Sequence, residues 1–240
     1  LKLIKDFDFL ASLKPDLVVS TGDFLGALDS IDILIEMLGA LLTLPGYFVL
    51  GSNDYFGPTL RNPFSYLKKR PVELKFGKKI DTERLICELS NHGWVYLDCL
   101  KIQTEIRGVN VELRGTGDAH INKDEYTKVK GVKNKESDVS IGLTHAPYKK
   151  LLNEMAADGL DLILAGHTHG GQVRFPWFTG SKAIVTNCDL PNWRSRGLTK
   201  LPNEPYLNVS AGIGSSKSLP IRILCPPEAS LIKLTSLNES

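Results

Sequence analysis

Three histidines, an aspartate and an asparagine stand where apolar runs of this sequence end, and all five side chains are ligands for hard or borderline metal ions. Asp23 closes Thr21-Gly22-Asp23, Asn53 lies in Gly51-Ser52-Asn53-Asp54, His145 sits in Thr144-His145-Ala146-Pro147, and His167 and His169 share Gly166-His167-Thr168-His169-Gly170. A carboxylate, amide and imidazole set without thiolates suits Mn, Fe or Zn and disfavours Cu(I). Two such ions about 3.5–4 Å apart share one carboxylate and one hydroxide and clamp a phosphoryl group between them. Asp23 suits the shared position because each of its oxygens can face a different ion. A metal-activated hydroxide would then attack phosphorus in line.

That chemistry requires the four segments to meet, and the flanking pattern provides for it. Apolar runs at Leu17–Val19, Tyr47–Leu50, Val139–Leu143 and Leu160–Leu164 each lead directly into one of them. They read as buried parallel strands, alternating with helical periods over Leu3–Leu13, Ile31–Leu44, Asp81–His92 and Lys149–Ala157. Trp94–Leu97 reads as a further strand, and Lys101–Ile106 with Val109–Gly115 as a hairpin. Strands are also expected at Gly171–Phe175, Tyr206–Ser210, Ile221–Leu224 and Ser230–Leu234, and a polar insertion at Asn62–Lys79. The class is α/β, and sites in such sheets form at the carboxyl ends of strands. With no repeat, low-complexity block or linker, one domain over residues 1–240 is expected.

Composition narrows the partners. The chain has 240 residues, 42% hydrophobic and 23% charged, and 29 basic against 27 acidic side chains leave a net charge of +2. That near-neutral balance argues against a nucleic-acid partner and leaves a small phosphorylated substrate. Cys87, Cys99, Cys188 and Cys225 form no CxxC pair, so they are expected to be reduced core residues. The stretch from Ile31 to Leu50 is broken by Asp32, Glu36 and Pro45 and cannot span a bilayer. His92, before Gly93, and His120 are expected to be structural. Residues 210–216 are either a phosphate cradle or a tight turn, and Arg194 and Arg196 either meet an anionic substrate or are solvated loop charges.

The order and spacing of the four segments, with Gly166-His167-Thr168-His169-Gly170-Gly171-Gln172 as the most specific, resemble the calcineurin-like metallophosphoesterases. The GHTHGGQ form is most similar to a bacterial branch that is often membrane-associated and includes UDP-diacylglucosamine-hydrolase-like enzymes. The likeness covers roughly residues 13 to 235, and Pro220 to Ala229 resembles that branch's closing strands. It implies a four-layer α-β-β-α sandwich and a hydrolase acting on phosphomonoester, phosphodiester or diphosphate bonds, including those of lipid-linked or nucleotide-sugar substrates. It also implies a cytoplasmic location or a peripheral or anchored one at the bacterial membrane.

Carried over, Asp23 becomes the bridging ligand, Asn53, His145 and His167 complete one metal site, and His169 belongs to the other. The family's Asp-x-His is absent before Asp23, and the chain opens at Leu1 inside a helical pattern. The expectation is therefore an N-terminally truncated chain lacking its first strand, its second metal site incomplete. A catalytically degenerate scaffold is the alternative. The family's Gly-Asn-His-Asp is Gly51-Ser52-Asn53-Asp54 here. Aligning the asparagines puts Asp54 in the place of the proton-donating histidine; aligning the glycines puts Asn53 there and Ser52 at the ligand. Asn is the better hard-metal ligand, so the first alignment is adopted, with Asp54 as a catalytic acid needing a raised pKa.

Overall fold

A computed structural model describes residues 2–57, 76–177, 180–184, 186–201, 205–216 and 221–235. Most of the polar insertion expected at Asn62–Lys79 lies outside the described residues. The chain runs through α1 (Lys2–Ser12), β1 (Val18–Ser20), α2 (Ile31–Leu38), β2 (Gly46–Phe48), a one-turn α3 (Ser52–Tyr55), α4 (Thr82–Asn91) and β3 (Val95–Tyr96). It continues through β4 (Lys101–Ile106), β5 (Val109–Gly115), β6 (Val139–Leu143), α5 (Lys149–Ala157), β7 (Leu162–Ala165), β8 (Arg174–Trp177), β9 (Gly180–Ala183), β10 (Gly197–Lys200) and β11 (Tyr206–Val209). One sheet is the parallel set β1-β2-β3; the other has the order β10-β11-β7-β6-β5-β4, with β5, β6, β7 and β11 parallel and the two edges antiparallel.

Strand alternation sorts the apolar side chains into layers. Phe48 and Leu50 pack against Leu34 and Leu38 of α2 and Leu85 and Leu89 of α4, while Val49 between them faces Leu113, Ile141 and Leu143 of the second sheet. On that sheet's far side, Ile163, Leu207 and Val209 pack on Leu152 and Met155 of α5. The result is the expected order of helix, sheet, sheet and helix.

Some sequence expectations shift. The helix expected to Leu44 stops at Leu38, because Gly39 takes φ 44° and the chain continues as a 3-10 turn to Thr43. Ile221–Leu224 contributes one bridge, Val173 to Ile223, before Leu224 turns to φ 53°. Beyond Pro226-Pro227, which have no N–H to donate, residues 230–234 form no strand. All four cysteines are free, but only Cys225 is buried. Cys87 is exposed on α4, whose inward positions are Leu85 and Leu89. Among the described residues, no helix is long and apolar enough to cross a membrane.

Candidate metal centre

The carboxyl ends of β1, β2, β6 and β7 open together, so the four polar segments meet where the two sheets face one another. Across the junction, His145 Nδ1 lies 2.6 Å from Thr21 O, and Gly166 N donates to His145 O at 2.9 Å. The approach is close enough that a Cβ on Gly51 would overlap both the Asp23 carboxylate and the His145 ring. Asp23, His167 and His169 all adopt left-handed backbone, at φ 59°, 66° and 47°. Such non-glycine residues cost about 1–3 kcal/mol each and persist where the surrounding structure holds them.

The hydrogen bonds determine what the rings offer. A carbonyl can only accept, so His145 donates through Nδ1 to Thr21 O, and His167 donates through Nε2 to Asn187 O at 3.0 Å. The remaining nitrogens, His145 Nε2 and His167 Nδ1, face each other at 3.2 Å, with Asp23 Oδ2 3.4 Å from the first. Asn53 completes the group, its backbone N and Nδ2 donating to Asp23 at 2.9 and 2.8 Å. Of the two alignments, it is thus Asn53 whose side chain reaches Asp23.

Three acceptors crowded together repel unless a positive charge lies among them. A proton on His145 is opposed by burial, but Asp23 and Asp118 outweigh burial and push the ring up to about 10. Burial and the charge on His145 then hold His167 well below the usual histidine range. Burial alone would raise Asp23, but His145 draws it below the ordinary carboxylate range. A divalent ion suits the same place: bonds of about 2.0–2.1 Å put neighbouring ligand atoms roughly 3.0–3.4 Å apart. Outward N–H···O=C bonds are what orient metal-binding imidazoles. The group is a row of contacts rather than a closed cage, and among the described residues no three His, Cys, Asp or Glu side chains already surround an ion site. His169 lies on the same cleft, within the field of Asp23, its ring outside the hydrogen-bonded row.

Asp54 stands differently from its expected place as a proton donor. It is fully buried, and its carboxylate accepts from Asp23 N at 2.8 Å, Gly51 N at 3.0 Å and Leu25 N at 3.1 Å. Burial and the neighbouring Asp23 push it up to about 7, but its oxygens face the backbone that shapes the loops. His120, expected to be structural, lines the cleft: its Nδ1 is 3.0 Å from Tyr148 OH and its ring centroid 4.6 Å from that of His167. Sequence reasoning missed Asp118, fully buried with Oδ1 accepting from His120 N and Oδ2 without a hydrogen-bond partner. Burial raises it to about 6. The signal was available, because Thr116-Gly117-Asp118 follows β5 as Thr21-Gly22-Asp23 follows β1. In the 210–216 loop, the Ala211, Gly212 and Gly214 carbonyls all accept from Arg222, and Ser216 N donates to Gln172 Oε1 at 2.9 Å. Arg194 lies over the Trp193 ring and donates from Nη2 to Lys200 O at 3.2 Å, while Arg196 Nη1 is buried rather than solvated.

Comparison with known proteins meets this geometry from the other side. The chain is 28% identical to an uncharacterized metallophosphoesterase of Aquifex aeolicus over 92% of its own length and 73% of the relative's. It is 26% identical to the UDP-2,3-diacylglucosamine pyrophosphatase LpxG of Chlamydia trachomatis, over 93% and 75%. Similarity to Bacillus subtilis YpbG, at 28%, covers 77% of this chain and 60% of that one. Residues 1–171, which include every proposed ligand, match the calcineurin-like phosphoesterase family. With the match spanning most of the chain, this protein belongs to that family and is a hydrolase of phosphate esters.

Proposed function

We propose that the chain hydrolyses a phosphomonoester, phosphodiester or diphosphate bond of a small substrate, using divalent Mn, Fe or Zn ions held by Asp23, Asn53, His145, His167 and His169. Bound there, the ions supply Lewis acidity toward phosphoryl oxygens and a nucleophilic water near neutral pH. The observation that supports this reading best is the facing pair of acceptor nitrogens on His145 and His167, each held by a carbonyl behind it. Asp23 would be the shared ligand and Asn53 would offer its amide oxygen to an ion, while the Asn53 N–H groups orient Asp23. Asp54 is a positioning residue that ties the backbones of Asp23, Leu25 and Gly51 together. His120, oriented by Tyr148, hydrogen-bonds a phosphoryl or leaving-group oxygen. Similarity to LpxG favours a diphosphate bond in a lipid-linked or nucleotide-sugar substrate.

The test is chelator-stripped protein reloaded with Mn²⁺, Fe²⁺ or Zn²⁺ and assayed on an aryl phosphomonoester, an aryl phosphodiester and a nucleotide-sugar diphosphate. Metal-dependent turnover of at least one is the expected result. Metal-loaded protein inert toward all three would overturn the reading and favour a catalytically degenerate scaffold.

A further inference from the structure

Beyond the cleft, a ribbon of three short segments carries an apolar outward face. In β8 and β9, Phe175 pairs with Lys182 and Trp177 with Gly180. Alternation turns Arg174 and Ala183 inward, where both are buried, and sends Phe175, Trp177 and Lys182 outward. At the next position Ile184 N donates to Val173 O, and Val173 bridges Ile223 in parallel, so Ile184 and Ile223 share that outward face. Phe175 is 62% exposed, Trp177 54%, Ile184 50% and Ile223 48%. Asn192 Nδ2 donates to Ala183 O and Ile184 O, fastening the turn that bears Trp193, itself 56% exposed. Contiguous apolar surface of this kind marks an interaction site.

Charge selects the partner. Residues 175–200 hold four basic side chains, Lys182, Arg194, Arg196 and Lys200, against Asp189 alone, a local +3 in a chain of net +2. Two of these cations sit at the aromatics: Lys182 Nζ is 5.3 Å from the Trp177 ring centroid and Arg194 4.6 Å from that of Trp193. Tryptophan with Lys and Arg at its edge matches the boundary between headgroups and acyl chains. A second copy of the chain fits less well, because a two-fold contact through this face would oppose like charges. Asn187, three residues beyond Ile184, also reaches the candidate metal centre, its O accepting from His167 Nε2.

We propose that this ribbon face docks on an anionic lipid bilayer, lying in the headgroup region without spanning it. The docking itself is independent of catalysis. The corollary, that docking presents the cleft to phosphorylated lipid substrates, rests on the phosphoesterase reading above.

Metal-free protein is mixed with vesicles of phosphatidylcholine, alone or with phosphatidylglycerol, and pelleted while tryptophan emission is recorded. Trp94 is buried, so a blue shift reports Trp177 and Trp193. Binding is expected with the anionic vesicles, weakened by salt, and reduced about tenfold or more in Phe175→Ser/Trp177→Ser and about threefold in Lys182→Glu. Both variants keep native turnover of a soluble aryl phosphodiester. No binding to anionic vesicles, or equal binding by native protein and both variants, overturns the proposal. So does a native dimer in sedimentation that the double variant converts to monomer without any vesicle binding. Vesicle binding by protein without turnover would instead sink the phosphoesterase reading and leave docking intact.

Discussion

Two buried polar clusters lie on opposite faces of the six-stranded sheet, and they are built on opposite plans. At the outer face Arg114, fully buried, meets Glu112 through Nε and Nη2 and Asp158 through Nη1 at 3.2 Å. Its Nη1 also donates to Val129 O and Gly131 O, Tyr126 OH and Gly131 N donate to Asp158, and Lys101 reaches Glu112 at 3.3 Å. Two cations and two anions cancel within the chain. At the sheet junction, Asp23, Asp54 and Asp118 are gathered beside His145, and among the described residues no lysine or arginine pairs with them. A cluster that only stabilises is neutral by itself. One that leaves negative charge and facing acceptors uncompensated is completed from outside the chain, by a proton or a metal ion.

The sharpest way to break that contrast is to remove a charge from each cluster. Arg114→Ala strands Glu112 and Asp158 in the interior and is expected to cost about 3–5 kcal/mol in urea unfolding, the same with or without metal. His167→Ala acts on the other cluster: metal affinity falls by more than the roughly 10–100-fold typical of losing an outer-shell partner, while metal-free stability changes little. Full metal occupancy of that variant by elemental analysis would overturn the ligand assignment. His120→Ala is expected to lower turnover about tenfold or more with metal content unchanged; loss of metal would instead make His120 a ligand.

The smallest effect concerns pH. Asp118 has a folded-state pKa of about 6 against an ordinary 3.8, so it favours folding only while protonated. Its contribution is present below about pH 4 and lost as pH rises through 6. Asp118→Asn is therefore expected to flatten stability between pH 4 and 6 and to stabilise the metal-free protein at pH 7 by about 1 kcal/mol. Denaturant midpoints across that range measure it, and a destabilised variant would show that the attraction of Asp118 to His145 outweighs the cost of its burial.

Much of the architecture was legible because its signals are local. β4, β5, β6 and α5 follow the apolar periodicity of their own residues, and each donor-bearing loop announces itself by the strand before it. The β8–β9 ribbon was not legible as a hairpin: the strand expected at Gly171–Phe175 runs instead from Arg174 to Trp177, and only its pairing with β9 separates inward from outward positions. Asp54 could be recognised as unusual but not placed, because the three N–H groups it binds come from positions 23, 25 and 51. His120 reached the site through Tyr148, 28 residues away.

The sequence by itself determined which side chains end which strands, and so the donor types and the α/β class, because apolar periodicity and turn chemistry are properties of neighbouring residues. Only the tertiary structure decided which ring nitrogen of each histidine faces the site. Those orientations depend on the Thr21 carbonyl, 124 residues from His145, and the Asn187 carbonyl, 20 residues from His167. No local pattern carries such distant contacts, and the metal binding proposed for the centre rests on them.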